Sequence, residues 1–241
     1  MADATKTVRK DPALSHGAHE IRTPLTVILG YVQMIMTEKL GATTEGQQRA
    51  LGEIKKSAGK LRDIANEMTD LGQLVAGGAE FKRRALDLPA LIEEAVASLA
   101  PQVPVQEREI RIRLVNDAGS ATLHADATWL QRALRAIILN QQRELMTSDE
   151  LLIAIERVTH DSRPAFRVTI AGADRIQELR SRAPVTLAPF AEVRASTGLS
   201  LFIARRVIEA HGGQIVSWIE PREDPSMAPL VLGAALLLPA A

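Results

Sequence analysis

The sequence contains no cysteine among its 241 residues. This absence excludes disulfides, thiolate metal ligands and a thiol nucleophile, and it agrees with a reducing cytoplasm. Aromatic residues make up only 3% of the chain. The hydrophobic cores must therefore be built from Leu, Ile, Val, Ala and Met, a composition that suits packed helices.

The chain also lacks an excess of charge of either sign, because 29 basic side chains balance 29 acidic ones. Bulk charge therefore gives no indication of a nucleic-acid partner or an anionic membrane. The longest apolar run, LVLGAALLLPAA, is interrupted by glycine and proline and is too short to span a bilayer. The first fifteen residues have no apolar segment typical of a signal peptide. We expect a cytoplasmic protein without a membrane span.

The N-terminal third has the pattern of two helices. Apolar residues recur at helical spacing over residues 12–39, GATTEG interrupts the pattern, and steps of three and four resume over residues 44–75. Two such helices joined by a short turn predict an antiparallel hairpin. Because a lone hairpin leaves its apolar stripe in water, we predict that two copies pair into a four-helix bundle, as a homodimer.

The remaining sequence mixes helices and strands. AGGAEFKRRALD, residues 76–87, is predicted to be a linker because it is polar and contains glycine, which places the domains at residues 1–80 and 81–241. Helical patterns follow at residues 88–99, 127–145 and 200–211, and strand-like runs include REIRIRLV, LLIAIERV, AFRVTIAG and GQIVSW. Strict βαβ alternation is missing, so an α+β sandwich is the predicted fold of the second domain.

Several short motifs occur in the order known from one protein family. HEIRTPLT at residues 19–26 resembles the H box of sensor histidine kinases, usually HELRTPLT. ADATWLQRALRAIILN resembles the N box, VTIAGADRI falls at the aspartate–glycine loop, and APF, STGLSL and ARRVIEAHGGQI resemble the F box, the second glycine box and the segment after it. The chain from about Leu14 to Pro239 thus resembles the kinase core. This resemblance implies a dimeric helical hairpin followed by an ATPase-type (GHKL) α/β sandwich.

The resemblance assigns a role to each polar residue of the octet. His19 would accept a phosphoryl group, since a neutral imidazole nitrogen is a competent nucleophile. Glu20 would draw the proton from the other ring nitrogen, and Thr23 would orient water for dephosphorylating a response regulator. Arg22 would lie near the phosphoryl group or a partner's carboxylates. Pro24 would kink the helix and mark the docking surface.

The expected partner is the receiver domain of a response regulator, docked beside His19. Val27 and Tyr31 follow at steps of four and could add apolar contacts, although ordinary core packing explains them equally well. His16 has no motif and is interpreted as a surface residue, and His211 as a structural one. No metal-ligand spacing joins the histidines His124, His160 and His211.

The N box departs from the family's pattern. That box normally has two asparagines four residues apart. Counted from Asp126, the first falls at Ala136 and the second at Asn140. Asn140 would be the remaining magnesium ligand.

The glycine-containing boxes depart further. With Ile176 aligned to the family's isoleucine, Ala171 stands where the adenine-reading aspartate belongs, and Ala173 and Arg175 stand at two glycine positions. Serines replace two glycines of the second glycine box, and Gly198 remains. Loss of a buried hydrogen bond to adenine is costly. The phospho-acceptor motif is thus intact, while the nucleotide site is eroded.

Three functions follow from this asymmetry. The favoured one is a phosphorelay protein that accepts a phosphoryl group on His19 and exchanges it with a response-regulator aspartate, without a cofactor. The alternative is a histidine kinase that uses Mg²⁺ and ATP through the remnant site of Asp126, Asn140 and Gly198. The third is a response-regulator scaffold, or a phosphatase that acts through Thr23.

Overall fold

The computed structural model describes residues 12–99, 110–145, 147–182, 199–220 and 230–241. The chain divides into two compact units, Met1–Ala79 and Glu80–Ala241. We call them the hairpin unit and the sandwich unit. Among the described residues, no helix combines the length and the apolar character needed to cross a membrane.

The hairpin unit consists of two long helices, α1 (Pro12–Met36) and α2 (Glu45–Val75). A capping box starts α2: the Thr44 hydroxyl accepts the backbone N–H of Gln47 at 3.3 Å, and the Gln47 side chain accepts that of Thr44 at 2.8 Å. The predicted hairpin is therefore confirmed, with its second helix beginning within one residue of the predicted position.

The contact between the two helices follows a heptad pattern. Buried residues recur every seven positions: Ala18, Leu25 and Val32 on α1, and Ala58, Ala65 and Gly72 on α2. The helices approach closely at Gly72, where an added Cβ would lie 2.8 Å from the Ser15 hydroxyl oxygen. A spacing of seven keeps one row of side chains against a neighbouring helix, as in coiled coils.

Beside each buried row runs a second row of apolar residues that the hairpin leaves exposed, which we call the outer row. Its exposed members are Ile21 and Ile28 on α1, and Ile54, Leu61 and Val75 on α2. About half of the Leu61 surface is accessible, at 51%. Each helix of the hairpin thus carries one apolar row that is covered within the chain and one that is not.

The sandwich unit is built around a five-stranded mixed sheet of order β2–β4–β5–β7–β6. Its elements are β1 (Arg84–Asp87), α3 (Leu88–Ala97), β2 (Arg111–Asn116), β3 (Thr122–Ala125), α4 (Ala127–Glu144), β4 (Glu150–His160), β5 (Arg163–Gly172), α5 (Ile176–Ser181), α6 (Ser200–Ala210), β6 (Gln214–Glu220) and β7 (Leu230–Pro239). Strands β2 and β4 are parallel and the other neighbours are antiparallel. This arrangement confirms the predicted α/β sandwich.

Three short elements were not predicted. Residues 84–87, assigned to the linker, form β1, which pairs with β3 as a separate two-stranded ladder. Strand β3 and helix α5 were also missed. Segments of four to six residues carry too few periodic positions to be recognised, and here their partners define them.

The two faces of the large sheet are covered by different elements. Gly172 at the end of β5 faces α4, since an added Cβ there would lie 2.9 Å from Leu145 Cδ1. Alternation places Ala171 on the opposite face. There its cross-strand partner Gly233 lies under α5, because a Cβ added to Gly233 would be 2.8 Å from Leu179 Cδ1. This second face holds a core cluster of Leu152, Ala154, Ala171, Ile176, Leu179, Val216, Trp218, Leu232 and Ala235.

Candidate functional site

The octet lies in the middle of α1, and one row of it is exposed. His19, Thr23, Val27 and Tyr31 follow one another at steps of four, which places them along one side of the helix. We call them the acceptor row. Val27 is 54% exposed and Tyr31 57%, so neither packs in the core of this chain. The row presents an imidazole, a hydroxyl and two apolar side chains to solvent.

Glu20 belongs to a different row of α1. Its carboxylate oxygen Oε1 lies 3.2 Å from His16 Nε2, four residues earlier, and both side chains are exposed. Successive helical residues point about 100° apart, so Glu20 and His19 do not face each other directly. Within the described residues, the imidazole of His19 has no hydrogen-bond partner.

Helix α1 continues through Pro24. Proline has no N–H, so the carbonyl of Glu20 loses its helical donor. On either side of the proline, the Thr23 hydroxyl donates to the carbonyl of His19 at 3.3 Å, and the Thr26 hydroxyl donates to that of Arg22 at 2.9 Å. Such bonds from threonine back to the preceding turn often bend helices. Pro24 and these two threonine bonds therefore all fall within about two turns after His19.

The side chain of Arg22 connects the two helices. Its Nη2 donates to Asn66 Oδ1 at 3.0 Å and to the Thr69 hydroxyl at 3.3 Å. The sequence suggested that Arg22 would lie near a phosphoryl group. The structure instead directs one guanidinium nitrogen to α2, where it ties the helices together near His19.

Asp126 and Asn140 lie far apart on α4. Asp126 is the N-cap, and its two carboxylate oxygens accept the backbone N–H groups of Trp129 at 3.1 Å and Lys82 at 2.8 Å. Asn140 lies fourteen residues further along the helix and is buried, which corresponds to roughly 21 Å at 1.5 Å per residue. The structure does not join them in one remnant site, and Asp126 acts as a helix cap.

His211 closes the end of α6 and contacts the same N-cap. Its Nε2 accepts the backbone N–H of Asp126 at 3.0 Å, and its Nδ1 lies 2.7 Å from the carbonyl of Val207. Because a carbonyl can only accept, Nδ1 carries the proton and the ring is neutral. The ring also packs edge-on against Phe81, with centroids 4.9 Å apart. Burial lowers the pKa of His211.

The end of β5 differs from the predicted alignment. Ala171, aligned with the family's aspartate, is buried on the face opposite α4, so it cannot address a ligand beside α4. Gly172 takes the position that faces α4. A Cβ added there would clash with the carboxylate of Asp174, which accepts a hydrogen bond of 2.6 Å from the Thr147 hydroxyl. A one-residue change of register moves a side chain to the other face of a strand, so the position aligned with the family's aspartate and the position that faces α4 are neighbouring residues.

A shallow, partly open cavity lies between the C-terminal end of α4 and the sheet, with about 420 Å³ of empty space when the open solvent at its mouth is included. Its lining consists of Gln141, Glu144, Leu145, Thr147, Leu151, Gly172, Asp174, Arg175, Leu230, Val231 and Leu232. The guanidinium of Arg175 makes only long ion pairs, 3.9 Å to Asp174 and 4.0 Å to Glu220. The charged side chains of the lining are thus two carboxylates, Glu144 and Asp174, and one guanidinium, Arg175.

The family's magnesium and nucleotide positions are only partly covered by the described residues. Asn140 is the one family-type ligand position retained on α4. In the described part of the chain, no group of three or more His, Asp or Glu side chains could hold a metal ion. Gly198, the F box and the first half of the second glycine box lie outside the described residues.

The phospho-acceptor part matches a known domain family. Residues 11–77 match the His Kinase A (phospho-acceptor) domain. The chain is also 28% identical over 215 residues to the sensor histidine kinase GacS of Pseudomonas protegens, covering 86% of this chain and 23% of that protein. It is 26% identical over 208 residues to the histidine protein kinase DivJ of Caulobacter vibrioides, covering 84% of this chain and 34% of DivJ. The chain thus spans about a quarter to a third of the length of these relatives.

Solved structures share the fold. The crystal structure of full-length ShkA in complex with AMPPNP superposes with a TM-score of 0.66 at 21% identity, over 95% of this chain and 46% of that one. The histidine kinase AdeS of Acinetobacter baumannii gives a TM-score of 0.56 at 18% identity, over 92% of this chain and 98% of that one.

Residues 11–77 belong to the His Kinase A (phospho-acceptor) domain family, and the chain as a whole is similar in sequence to sensor histidine kinases and shares the fold of their solved structures. The resemblance seen in the sequence is confirmed.

Proposed function

We propose that this chain is a phosphotransfer protein that accepts a phosphoryl group on His19 and exchanges it with a response-regulator aspartate without using ATP. The observation that carries the proposal is the end of β5. Gly172 faces α4 there, Ala171 is turned away, and Arg175 stands at the cavity where the family has bare backbone. The exposed acceptor row, in contrast, keeps the residues that phosphotransfer needs.

The transfer itself needs few groups from this chain. One ring nitrogen of His19 attacks the phosphorus of an aspartyl phosphate, the P–O bond to the carboxyl group breaks, and its electron pair leaves with the carboxylate. The proton on the other ring nitrogen passes to Glu20. Phosphoryl transfer depends mainly on positioning and on neutralising charge, and the receiver domain would supply magnesium and its acidic pocket.

The outer row and the acceptor row would contact different partners, a second copy of the chain and a receiver domain. The outer row has the heptad spacing of a helix–helix seam, so a second copy would cover it and complete a four-helix bundle. The acceptor row is a separate surface and would remain available in that dimer. Val27 and Tyr31 would then give a receiver domain apolar contacts beside His19.

Radiolabel transfer tests the proposal. The purified chain and a His19→Ala control are incubated with γ-labelled ATP and magnesium, and then with receiver domains labelled through acetyl phosphate. We expect no label from ATP and His19-dependent label from a receiver. Label from ATP that disappears in His19→Ala would overturn the proposal.

The second candidate function is an active histidine kinase, which His19-dependent labelling from ATP would establish. One observation favours it. The Asp174 carboxylate occupies the space beside Gly172 that a side chain at that position would fill. It could therefore accept from an adenine amino group in place of the missing aspartate. If so, ATP would raise the melting temperature of the wild-type chain but not that of Asp174→Ala.

A further inference from the structure

Two histidines flank Glu20 in sequence, and only one of them contacts it. The Glu20 carboxylate lies 3.2 Å from His16 Nε2, within hydrogen-bonding distance. Among the described residues, no hydrogen bond joins Glu20 to His19. The acid that should assist the acceptor is therefore occupied by a different imidazole.

This pairing follows from the geometry of α1. His16 and Glu20 are four residues apart and belong to one row of the helix, whereas His19 belongs to the acceptor row with Thr23. The Glu20 side chain therefore has two possible orientations. It can stay along its own row beside His16, or it can swing sideways toward the imidazole of His19.

We propose that His16 is a positioning residue that holds the Glu20 carboxylate away from His19 and thereby slows phosphorylation of His19. The inference rests on the proposed role of His19 as phosphoryl acceptor. It concerns the one step in which Glu20 takes the proton from the ring of His19. While Glu20 lies beside His16 Nε2, that proton must pass to water instead.

The effect must be modest, because both side chains are largely exposed, at 73% for His16 and 69% for Glu20. Exposed ion pairs and their hydrogen bonds are weak, and freeing Glu20 should raise the rate by at most about fivefold. A change of this size adjusts the rate of transfer without abolishing it.

Phosphorylation by potassium phosphoramidate tests the proposal on the full chain without a protein partner. This donor transfers its phosphoryl group to an imidazole nitrogen as the P–N bond breaks and ammonia leaves. We would measure the rate constant for His19 by mass spectrometry in wild type, His16→Ala and His16→Gln. We expect His16→Ala to be about two- to fivefold faster, and His16→Gln, which keeps an N–H donor, to stay near wild type.

A double-mutant cycle separates positioning from a general effect on the helix. In a Glu20→Ala background, His16→Ala should change the rate by less than about 1.5-fold, because no carboxylate is left to release. Glu53→Ala is the matched control, since Glu53 forms an exposed i,i+3 ion pair with Lys56 on the other helix. It should leave the rate unchanged.

Equal rates in wild type and His16→Ala would overturn this inference, and so would an equal acceleration in the Glu20→Ala background. Neither result would affect the proposed function, which fails instead if ATP labels His19 or if no receiver does. Phosphoramidate labelling on His16 rather than His19 would overturn both.

Discussion

At the scale of single residues, His211 and Asp126 show how one polar pair fastens several segments. Asp126 accepts from the backbone of α4 and from Lys82, and its own N–H is accepted by His211. Arg83 adds a bond from its guanidinium to the carbonyl of Ala210. The linker was predicted at residues 76–87. Its part from residue 82 onward is instead bonded to the rest of the sandwich unit.

The lowered pKa of His211 gives the sandwich unit a predictable pH dependence. Burial disfavours the protonated ring in the folded state, so the unfolded chain binds the proton more readily. As the pH falls below the ordinary histidine value of about 6.5, unfolding takes up a proton and the free energy of unfolding decreases. This loss continues down to the lowered pKa of the folded state.

We expect His211→Gln to reduce that dependence, because glutamine can accept from Asp126 but does not titrate. Urea unfolding at pH 7 and pH 5 measures it. Both tryptophans, Trp129 and Trp218, lie in the sandwich unit, so their fluorescence reports on that unit alone. An identical fall in unfolding free energy for wild type and His211→Gln would contradict the assignment.

At the scale of elements, the end of β5 decides what the cavity can bind. The strand presents Gly172 to α4 and Ala171 to the cluster under α5. A side chain at residue 171 therefore cannot restore the family's adenine contact. It would enter an apolar core instead.

Ala171→Asp tests this orientation. We expect the free energy of unfolding of the sandwich unit to fall by about 3 kcal/mol or more, since a carboxylate would be buried without a partner. Urea unfolding followed by tryptophan fluorescence measures it, with Ala85→Asp on exposed β1 as the control that should change little. A fully stable Ala171→Asp chain whose melting temperature rises with ATP would show that residue 171 faces the nucleotide.

At the scale of the whole molecule, the outer row predicts the assembly. Its heptad spacing on both helices and its exposure in one chain favour a seam between two copies. A charge in the middle of that seam would face the partner's apolar side chains and would have to be desolvated.

We expect wild type to have twice the chain mass of 26.1 kDa and Leu61→Glu to shift strongly toward the monomer. Light scattering after size-exclusion chromatography measures both. Leu40→Glu is the matched control, because Leu40 is also exposed, at 60%, but lies in the turn between the helices. A dimer that is unchanged by Leu61→Glu would exclude the outer row as the interface.

The sequence by itself determined the hairpin, the start of α2 at Thr44, the long strands of the sheet and the acceptor motif around His19. These features are local: a heptad repeat, a capping box or an octet is complete within a few turns of chain. Much of the site's chemistry, however, depends on which groups meet. The opposite ends of α4 separate Asp126 from Asn140, the alternation of β5 turns Ala171 away from the cavity, and one row of α1 brings Glu20 to His16. Only the tertiary structure decided these points, because a one-residue difference in register reverses the face of a strand and a helix fixes distances that a linear motif does not show.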